Sequence, residues 1–398
     1  MTIDTGAFQP VVEKDLPGER PSWWSFRIWH GMTAGIWFRF LARHGFRVSF
    51  TRLPRAIGMS FLCLGNAIPA LVQRRRHGAE IAAEPLPAPV FIVGHWRSGT
   101  TFLHELLATD VRFIAPTSLE CFATDHFLRW GRMLRRLRFM MPKRRPMDDM
   151  AMGWDHPQED EFALMAMGQR SPYEAMAFPN DRGQAVEHLH VDEWPAVERD
   201  AWAAALVTFM KRVVVGRRWA AVPEAPAPRW FLLKSPTHTA RIGLLRRIFP
   251  GAKFIHISRD PYRLFSSSER LWRETAGSQG LQRPRLDDGR NPLPEFILNS
   301  LPELYRDFDR DSADMPEGTW AVTRYEDLVR DPEGEITRIR AELGLEAPDG
   351  PALRHYLAGL GGYRTNPHAL DPQLAAAIRT RWAWYFERFG YDRTPARV

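Results

Sequence analysis

An apolar run, a short loop bracketed by glycines and a second apolar run form the feature of this sequence that most constrains its fold. Residues 90–93 are β-branched or aromatic, which is typical of a buried parallel strand. Gly94 and Gly99 bracket a tight turn, and after Gly99 leucine and phenylalanine recur at helical spacing. The pattern predicts a strand, an anion-binding loop and a helix whose first backbone N–H groups face the ligand.

The loop departs from the phosphate loop of nucleotide kinases at the position that carries their lysine. The glycine spacing is kept, but Thr100 replaces the lysine and the cation lies inside the loop, at Arg97. A guanidinium there can form two hydrogen bonds to a phosphate or sulfate, while Thr100 and Thr101 can donate through hydroxyl and backbone. The loop therefore favours an anionic donor molecule held without the magnesium ion that kinases use.

The composition indicates a globular protein with anionic partners. Of the 398 residues, 44% are hydrophobic, and the net charge of +7 favours nucleic acid, an acidic membrane surface or a phosphorylated small molecule. The two cysteines, Cys63 and Cys121, offer neither a disulfide framework nor the spacing of metal ligands. We therefore expect a cytoplasmic protein, with no metal implied, and the N-terminus does not read as a signal peptide.

Residues 1–85 differ in composition from the rest of the chain, for which we predict a catalytic domain over 86–398. From 23 to 76, tryptophans and phenylalanines are interleaved with arginines, as in interfacial amphipathic regions. The run 56–73 is uncharged and at the lower length limit for a bilayer span. Three interpretations stay open: a helical hairpin packed on the catalytic domain, an anchor at the inner face of the membrane, or a true span.

Two further segments carry many charges. Residues 127–145 combine arginines with apolar side chains, which favours a solvated or membrane-facing helix over a direct contact with the donor. Residues 154–164 are typical of a helix start, with Pro157 in the first turn and acids placed to suit the helix dipole. A catalytic role for His156, or an acidic metal cluster, is the alternative interpretation of this second segment.

Strand, helix, strand and helix follow one another over residues 229–272. Lys234 lies at the carboxyl end of the first of these strands and Arg259 at the end of the next, the edge at which parallel sheets bind ligands. Ser267 lies in the helix after Arg259, so its hydroxyl and the guanidinium can converge on one phosphate. The sequence thus predicts an α/β fold, a P-loop-like parallel sheet flanked by helices, with an N-terminal helical or amphipathic appendage.

In order and spacing, these motifs resemble those of sulfotransferases that use 3'-phosphoadenosine 5'-phosphosulfate (PAPS). The bacterial group related to tyrosylprotein sulfotransferases is the most similar. The resemblance rests on the segments 97–101, 234–238, 249–254 and 259–267. It implies PAPS as the donor and a hydroxyl or amine of a small molecule as the acceptor, and no nucleic acid partner. The aromatic and basic residues from 23 to 76 extend the expected acceptors to a lipid or lipid-linked compound.

The resemblance also implies roles for single residues in holding the donor. The 5'-phosphosulfate would be held by Arg97, Ser98, Gly99, Thr100 and Thr101. The 3'-phosphate would be held by Arg259 and Ser267. Tyr325 would lie near the nucleotide, and Arg364 would be a phosphate ligand in a C-terminal loop that closes over it.

Three of the predicted residues would act in the reaction itself. Arg97 and Lys234 would offset the charge that builds on the departing 5'-phosphate, and Glu120 would be the general base. Two other functions stay open. One is a nucleotide-dependent kinase with Asp260 as a metal carboxylate, against which the missing loop lysine argues. The other is a non-catalytic, membrane-associated nucleotide-binding protein.

Overall fold

Five parallel strands form one sheet in the computed structural model, which describes residues 27–136, 153–220, 228–287, 291–360 and 370–394. The strands are β1 (Ala88–Val93), β2 (Phe113–Ile114), β3 (Trp230–Lys234), β4 (Lys253–Ser258) and β5 (Trp320–Arg324), in the order β2-β3-β1-β4-β5. On the central strand, Ile92 lies opposite Lys234 of β3 and Ile255 of β4. The predicted parallel sheet is confirmed, and its central strand carries the predicted anion loop.

Helices flank the sheet. From the N-terminus to the middle of the chain they are α1 (Ala34–Arg43), α2 (Leu53–Ala83), α3 (Thr100–Ala108), α4 (Ser118–Phe122), α5 (Phe127–Arg136), α6 (Asp160–Ala166), α7 (Glu174–Ala177), α8 (Arg182–Glu187) and α9 (Ala196–Ala220). The remainder are α10 (Ile242–Ile248), α11 (Pro261–Gln279), α12 (Leu293–Leu304), α13 (Phe308–Ser312), α14 (Tyr325–Arg330), α15 (Pro332–Glu342), α16 (Gly350–Gly359), α17 (Pro372–Arg381) and α18 (Ala383–Phe389). Short 3-10 turns lie at Phe50–Arg52, Pro179–Asp181, Val191–Glu193 and Pro236–Arg241.

The helices α1 and α2 pack on the rest of the protein as a hairpin. Their side chains in the main hydrophobic core include Trp37, Phe40, Met59 and Cys63. Buried polar groups of α2 also bond outside the helix: Asn66 Nδ2 donates to the Met32 carbonyl at 3.0 Å and Gln73 Nε2 to the Thr124 carbonyl at 3.2 Å. One face of α2 is therefore part of the domain's interior, as in the first of the three interpretations.

One predicted helix boundary is wrong. Pro157 forms a β-bridge with Thr117, because the chain around it runs extended beside the segment before α4, and α6 begins only at Asp160. Near the C-terminus, α17 and α18 meet at Trp382, whose Nε1 donates to the Leu298 carbonyl at 3.0 Å. The second half of the predicted 127–145 helix lies outside the described residues.

Candidate active site

The loop between β1 and α3 brings the chain sharply from strand to helix. Gly99 has a φ of +102° and is followed at once by α3. A Cβ at Gly99 would lie 2.3 Å from the ring of Tyr325, so glycine is required both by its φ and by this close packing. Arg97 has a φ of +70°, a conformation that non-glycine residues seldom adopt and that clusters at ligand sites. The loop thus combines an unusual backbone with a helix N-terminus suited to an anion.

Residues predicted to bind the donor meet on one side of this loop. Arg97 Nε donates to Ser267 Oγ at 2.8 Å, and Arg259 Nη1 donates to the Arg97 carbonyl at 2.8 Å. The Arg259 guanidinium also lies over the Tyr325 ring, 4.4 Å from its centroid. Four elements, the loop, the end of β4, α11 and α14, therefore supply two guanidiniums, a hydroxyl and an aromatic ring to one place. Such a set fits a ligand that carries a phosphate and an aromatic base.

Lys234 lies on the other side of the loop, at the end of β3. Its side chain is only 2% exposed, and its ammonium group donates to Thr101 Oγ1 at 3.3 Å and to Glu159 Oε1 at 2.6 Å. A buried lysine of this kind needs a nearby negative charge, which Glu159 supplies. Lys234 therefore joins the anion loop to the acidic segment that precedes α6.

Three consecutive acids of that segment each pair with a basic residue from the end of β3 or from the 3-10 turn after it. Beside the Glu159–Lys234 pair, Asp160 Oδ2 lies 2.7 Å from His238 Nε2, and Glu161 Oε2 lies 2.6 Å from Arg241 Nη1. The side chains of these last two pairs are 0% exposed. Removal of either partner of the Glu161–Arg241 pair leaves a buried charge without compensation. The pairs thus fix the start of α6, and with it the position of Glu159.

Tyr173 links Glu159 to the anion loop by a second route. Its hydroxyl donates to Glu159 Oε2 and accepts a hydrogen bond from Trp96 Nε1 at 3.2 Å. Burial and the neighbouring Glu159 carboxylate raise the pKa of Tyr173 well above its usual value, so the phenol stays protonated and donates. Both oxygens of Glu159 are thereby oriented by groups that also contact the loop.

Glu159 is the residue of this site that the sequence interpretation missed. The segment 154–164 was interpreted as a helix start, and acids do lie in the first turn of α6. The available signal was the match between three successive acids at 159–161 and the bases Lys234, His238 and Arg241. His156 contributes its backbone to this region, since its carbonyl accepts from the Ser118 N–H at 2.9 Å.

Glu120, the predicted general base, lies buried in α4. Its Oε2 accepts from the Thr117 N–H at 2.7 Å and from Arg217 Nη2 at 2.9 Å, and the first of these contacts belongs to a capping box with Thr117. Glu120 therefore stabilises the first turn of α4 and forms an ion pair with α9. Its role as a base stays a prediction, as does that of Arg364 as a phosphate ligand, because Arg364 lies outside the described residues.

Asp260, the metal carboxylate of the kinase interpretation, is the N-cap of α11. Its Oδ1 accepts from the Arg263 N–H at 2.9 Å, and burial raises the pKa of its carboxyl. Within the part of the chain that the structure describes, we find no cluster of three or more His, Cys, Asp or Glu side chains that could hold a metal ion. Asp260 thus has a clear local role as a helix cap.

Comparison with known proteins identifies the family. Residues 89–349 match the model of the family described as "Sulfotransferase family". The chain belongs to this sulfotransferase family. It is also 37% identical over 384 residues, 94% of this chain and 95% of the relative, to the omega-hydroxy-beta-dihydromenaquinone-9 sulfotransferase Stf3 of Mycobacterium bovis. The protein of the same name from Mycobacterium tuberculosis matches to the same extent.

Solved sulfotransferase structures share the fold. Sulfotransferase STF9 from Mycobacterium avium superposes with a TM-score of 0.64 at 17% identity, covering 91% of this chain and 97% of that one. Sulfotransferase STF1 from Mycobacterium tuberculosis gives 0.60 at 15%, covering 88% and 90%. The predicted fold class and the predicted enzyme class are confirmed: this sulfotransferase transfers a sulfuryl group, and its family implies PAPS as the donor.

Proposed function

We propose that this sulfotransferase moves the sulfuryl group of PAPS to a hydroxyl of a membrane lipid, of the ω-hydroxylated prenylquinone class. The observation that carries the proposal is the contact of Lys234 with both Thr101 of the anion loop and the Glu159 carboxylate. It supports a site in which donor-binding and proton-accepting groups adjoin. The acceptor class is suggested by the 37% identical relative, whose name gives an omega-hydroxylated dihydromenaquinone.

The donor fits the residues of the site. Arg97 and the N-terminus of α3 suit the 5'-phosphosulfate, while Arg259 and Ser267 suit the 3'-phosphate. Tyr325, which packs against Gly99 and under Arg259, suits a place beside the nucleotide. PAPS, when bound, supplies an activated sulfuryl group whose leaving group is a phosphate. We also infer that Arg364 closes over the nucleotide, as the family resemblance implies.

The chemistry requires a base and a positive charge. A bond forms between the acceptor oxygen and sulfur, the bond from sulfur to the 5'-phosphate oxygen breaks, and the acceptor's proton leaves for a base. Lys234 and Arg97 would offset the charge that builds on the departing phosphate, a contribution that is usually the largest in such transfers. Arg97 is part of the loop, and Lys234 contacts Thr101 beside it, so both cations adjoin the place where that charge builds.

We assign the base to Glu159 rather than to Glu120. Both carboxylates form ion pairs, but the partner of Glu159 is Lys234, which also contacts Thr101 at the anion loop. Glu120 instead pairs with Arg217 of α9 and caps α4 through Thr117. Tyr173 orients Glu159 through its second oxygen. The assignment of Glu120 made from the sequence predicts the opposite outcome in the same experiment, described in the Discussion.

The acceptor is tested with a matched pair of lipids. The full-length enzyme is incubated with PAPS and either a menaquinone bearing a terminal hydroxyl or the same menaquinone without it, and the products are identified by mass spectrometry. We expect a sulfated product from the hydroxylated lipid alone. Phenols, sugars and peptides offered in parallel are the controls, and sulfation of one of these in place of the lipid would refute the lipid assignment. For an enzyme in the cytoplasm, as the sequence leads us to expect, a lipid acceptor would mean work at the inner face of the membrane.

A further inference from the structure

The helix α2 has one buried face and one exposed apolar face. The buried face carries Ala56, Met59, Cys63, Asn66 and Gln73. The exposed face, together with Phe50 of the preceding 3-10 turn, carries large apolar side chains three or four residues apart. We call this row the α2 stripe: Phe50, Leu53, Ile57, Phe61, Leu64, Ile68 and Leu71. Phe50, Phe61 and Ile68 are 86%, 71% and 70% exposed. A regular row of such side chains marks a surface that another phase or molecule covers.

The buried face shows how α2 can meet a membrane. Among the described residues, the segment Phe50–Ala83 is the one helix long and apolar enough to cross a bilayer by length and composition. Trp37 Nε1 donates to Ser60 Oγ at 3.0 Å, and the Leu128 N–H donates to Gln73 Oε1 at 3.1 Å. A transmembrane position would break these contacts and leave polar groups unpaired in hydrocarbon. These hydrogen bonds are preserved if α2 lies in the plane of the membrane interface, with the stripe facing the lipid.

The charges beside the stripe indicate which surface covers it. Residues 46–79 contain no aspartate or glutamate, and three exposed arginines, Arg74, Arg75 and Arg76, follow the stripe. The neighbouring helix α5 adds exposed Trp130 and Met133 among exposed arginines. Aromatic rings suit the headgroup region and arginines suit anionic lipids. A second copy of the chain would bring the same basic border against itself, which like charges oppose.

We propose that the α2 stripe and its arginine border dock this enzyme in the plane of an anionic lipid leaflet. The proposal rests on the proposed function for its purpose, since docking brings the enzyme to the phase that holds a lipid acceptor. The docking surface itself is inferred from the stripe and the arginines beside it, independently of the proposed function. The contact is peripheral: apolar side chains enter the interface while the buried face of α2 stays packed on the domain.

The test uses point variants of the full chain, because removal of α1 and α2 would also remove Trp37 and Phe40 from the core. The Phe61→Glu/Ile68→Glu double variant places two charges on the stripe. The matched control, Val111→Glu/Val197→Glu, places two charges on exposed valines elsewhere, which are 59% and 82% exposed. Each protein is co-sedimented with vesicles of phosphatidylglycerol and phosphatidylcholine, and with vesicles of phosphatidylcholine alone.

We expect the wild type to pellet with the anionic vesicles, less so as salt is raised, and only weakly with the neutral ones. The stripe variant should lose roughly tenfold or more of its partition, because two large apolar side chains no longer enter the interface. The control variant should bind like the wild type. Equal binding by the stripe variant and the wild type, or no vesicle binding by either, would overturn the proposal.

Two further measurements separate the causes of failure. Thermal stabilisation by adenosine 3',5'-bisphosphate reports that each variant is folded and that its donor site is intact. If vesicle binding fails while this stabilisation persists, the docking surface is refuted and the proposed function stands. Light scattering reports the oligomeric state. A wild-type dimer that the stripe variant converts to a monomer, without vesicle binding, would make the stripe a protein interface and would also refute the proposal.

Discussion

The anion loop and the acidic segment before α6 bring charges to the same edge of the sheet, but they are positioned by different means. The loop is shaped locally: glycine conformation and the start of α3 place Arg97 and Thr101. The acidic segment is shaped by distant partners, since Glu159 meets Lys234 across 75 positions of the chain. Local pattern therefore reveals the donor side of the site, and only tertiary pairing reveals the carboxylate beside it.

The largest expected effect comes from replacing the two candidate bases one at a time. Glu159→Gln should lower kcat by roughly 10²–10⁴-fold, the usual contribution of a positioned base, while the affinity for adenosine 3',5'-bisphosphate changes little. Glu120→Gln, which alters a carboxylate held in a helix cap, should change kcat less than about tenfold. Steady-state kinetics with PAPS measure both. The reverse ranking would return the base to Glu120 and make Glu159 a structural partner of Lys234.

The next largest effect concerns the charge that joins the two regions. Lys234→Met should lower kcat by roughly 10²–10³-fold, as is typical when one group that stabilises transition-state charge is lost. Lys253→Met is the matched control, because this lysine lies at the start of β4, the end of the strand away from the anion loop, and donates to the Gly318 carbonyl at 2.6 Å. Single-turnover rates with PAPS distinguish the two variants. Near-normal turnover in Lys234→Met would remove Lys234 from the reaction.

Ligand binding tests the residues assigned to the donor side of the site. At a concentration about 100-fold above its Kd, adenosine 3',5'-bisphosphate should stabilise the fold by about 2.7 kcal/mol. Arg259→Ala and Ser267→Ala should each reduce that gain, because each removes a phosphate partner. Ser266→Ala is the control, since the Ser266 hydroxyl donates within its own helix to the Tyr262 carbonyl at 3.1 Å. Melting curves that shift with ATP and magnesium but not with this nucleotide would favour a kinase instead.

The smallest expected effect tests the structural role given to Glu120. Thr117→Ala removes the other half of the capping box and should lower the free energy of unfolding by about 1 kcal/mol. Turnover at a temperature where the variant is folded should stay close to that of the wild type. Urea unfolding and steady-state kinetics measure the two quantities. A large loss of turnover without a loss of stability would show that the α4 cap serves the chemistry.

The strand ends show why much of the donor site could be predicted. Lys234 and Arg259 follow two strands that are consecutive in the sequence, and the carboxyl ends of parallel strands share one edge of a sheet. Pro157 shows what the local sequence does not predict. The bridge that it forms with Thr117 depends on a segment 40 residues away and leaves no local signal. The N-terminal region is a second example, because its composition predicts an amphipathic helix but not which face of that helix packs on the protein. The boundary predicted at residue 85 stays a prediction, although Trp37 lies in the shared core.

One measurement tests the central claim most directly, namely that this enzyme takes a sulfuryl group from PAPS. The wild type and Lys234→Met are incubated with the hydroxylated menaquinone and either PAPS labelled on sulfur or ATP labelled on its γ-phosphate, with magnesium present. Sulfuryl transfer predicts that label from PAPS enters the lipid phase, in amounts equal to the adenosine 3',5'-bisphosphate released, and that the variant loses this label. Label that enters the lipid from ATP and not from PAPS would contradict it.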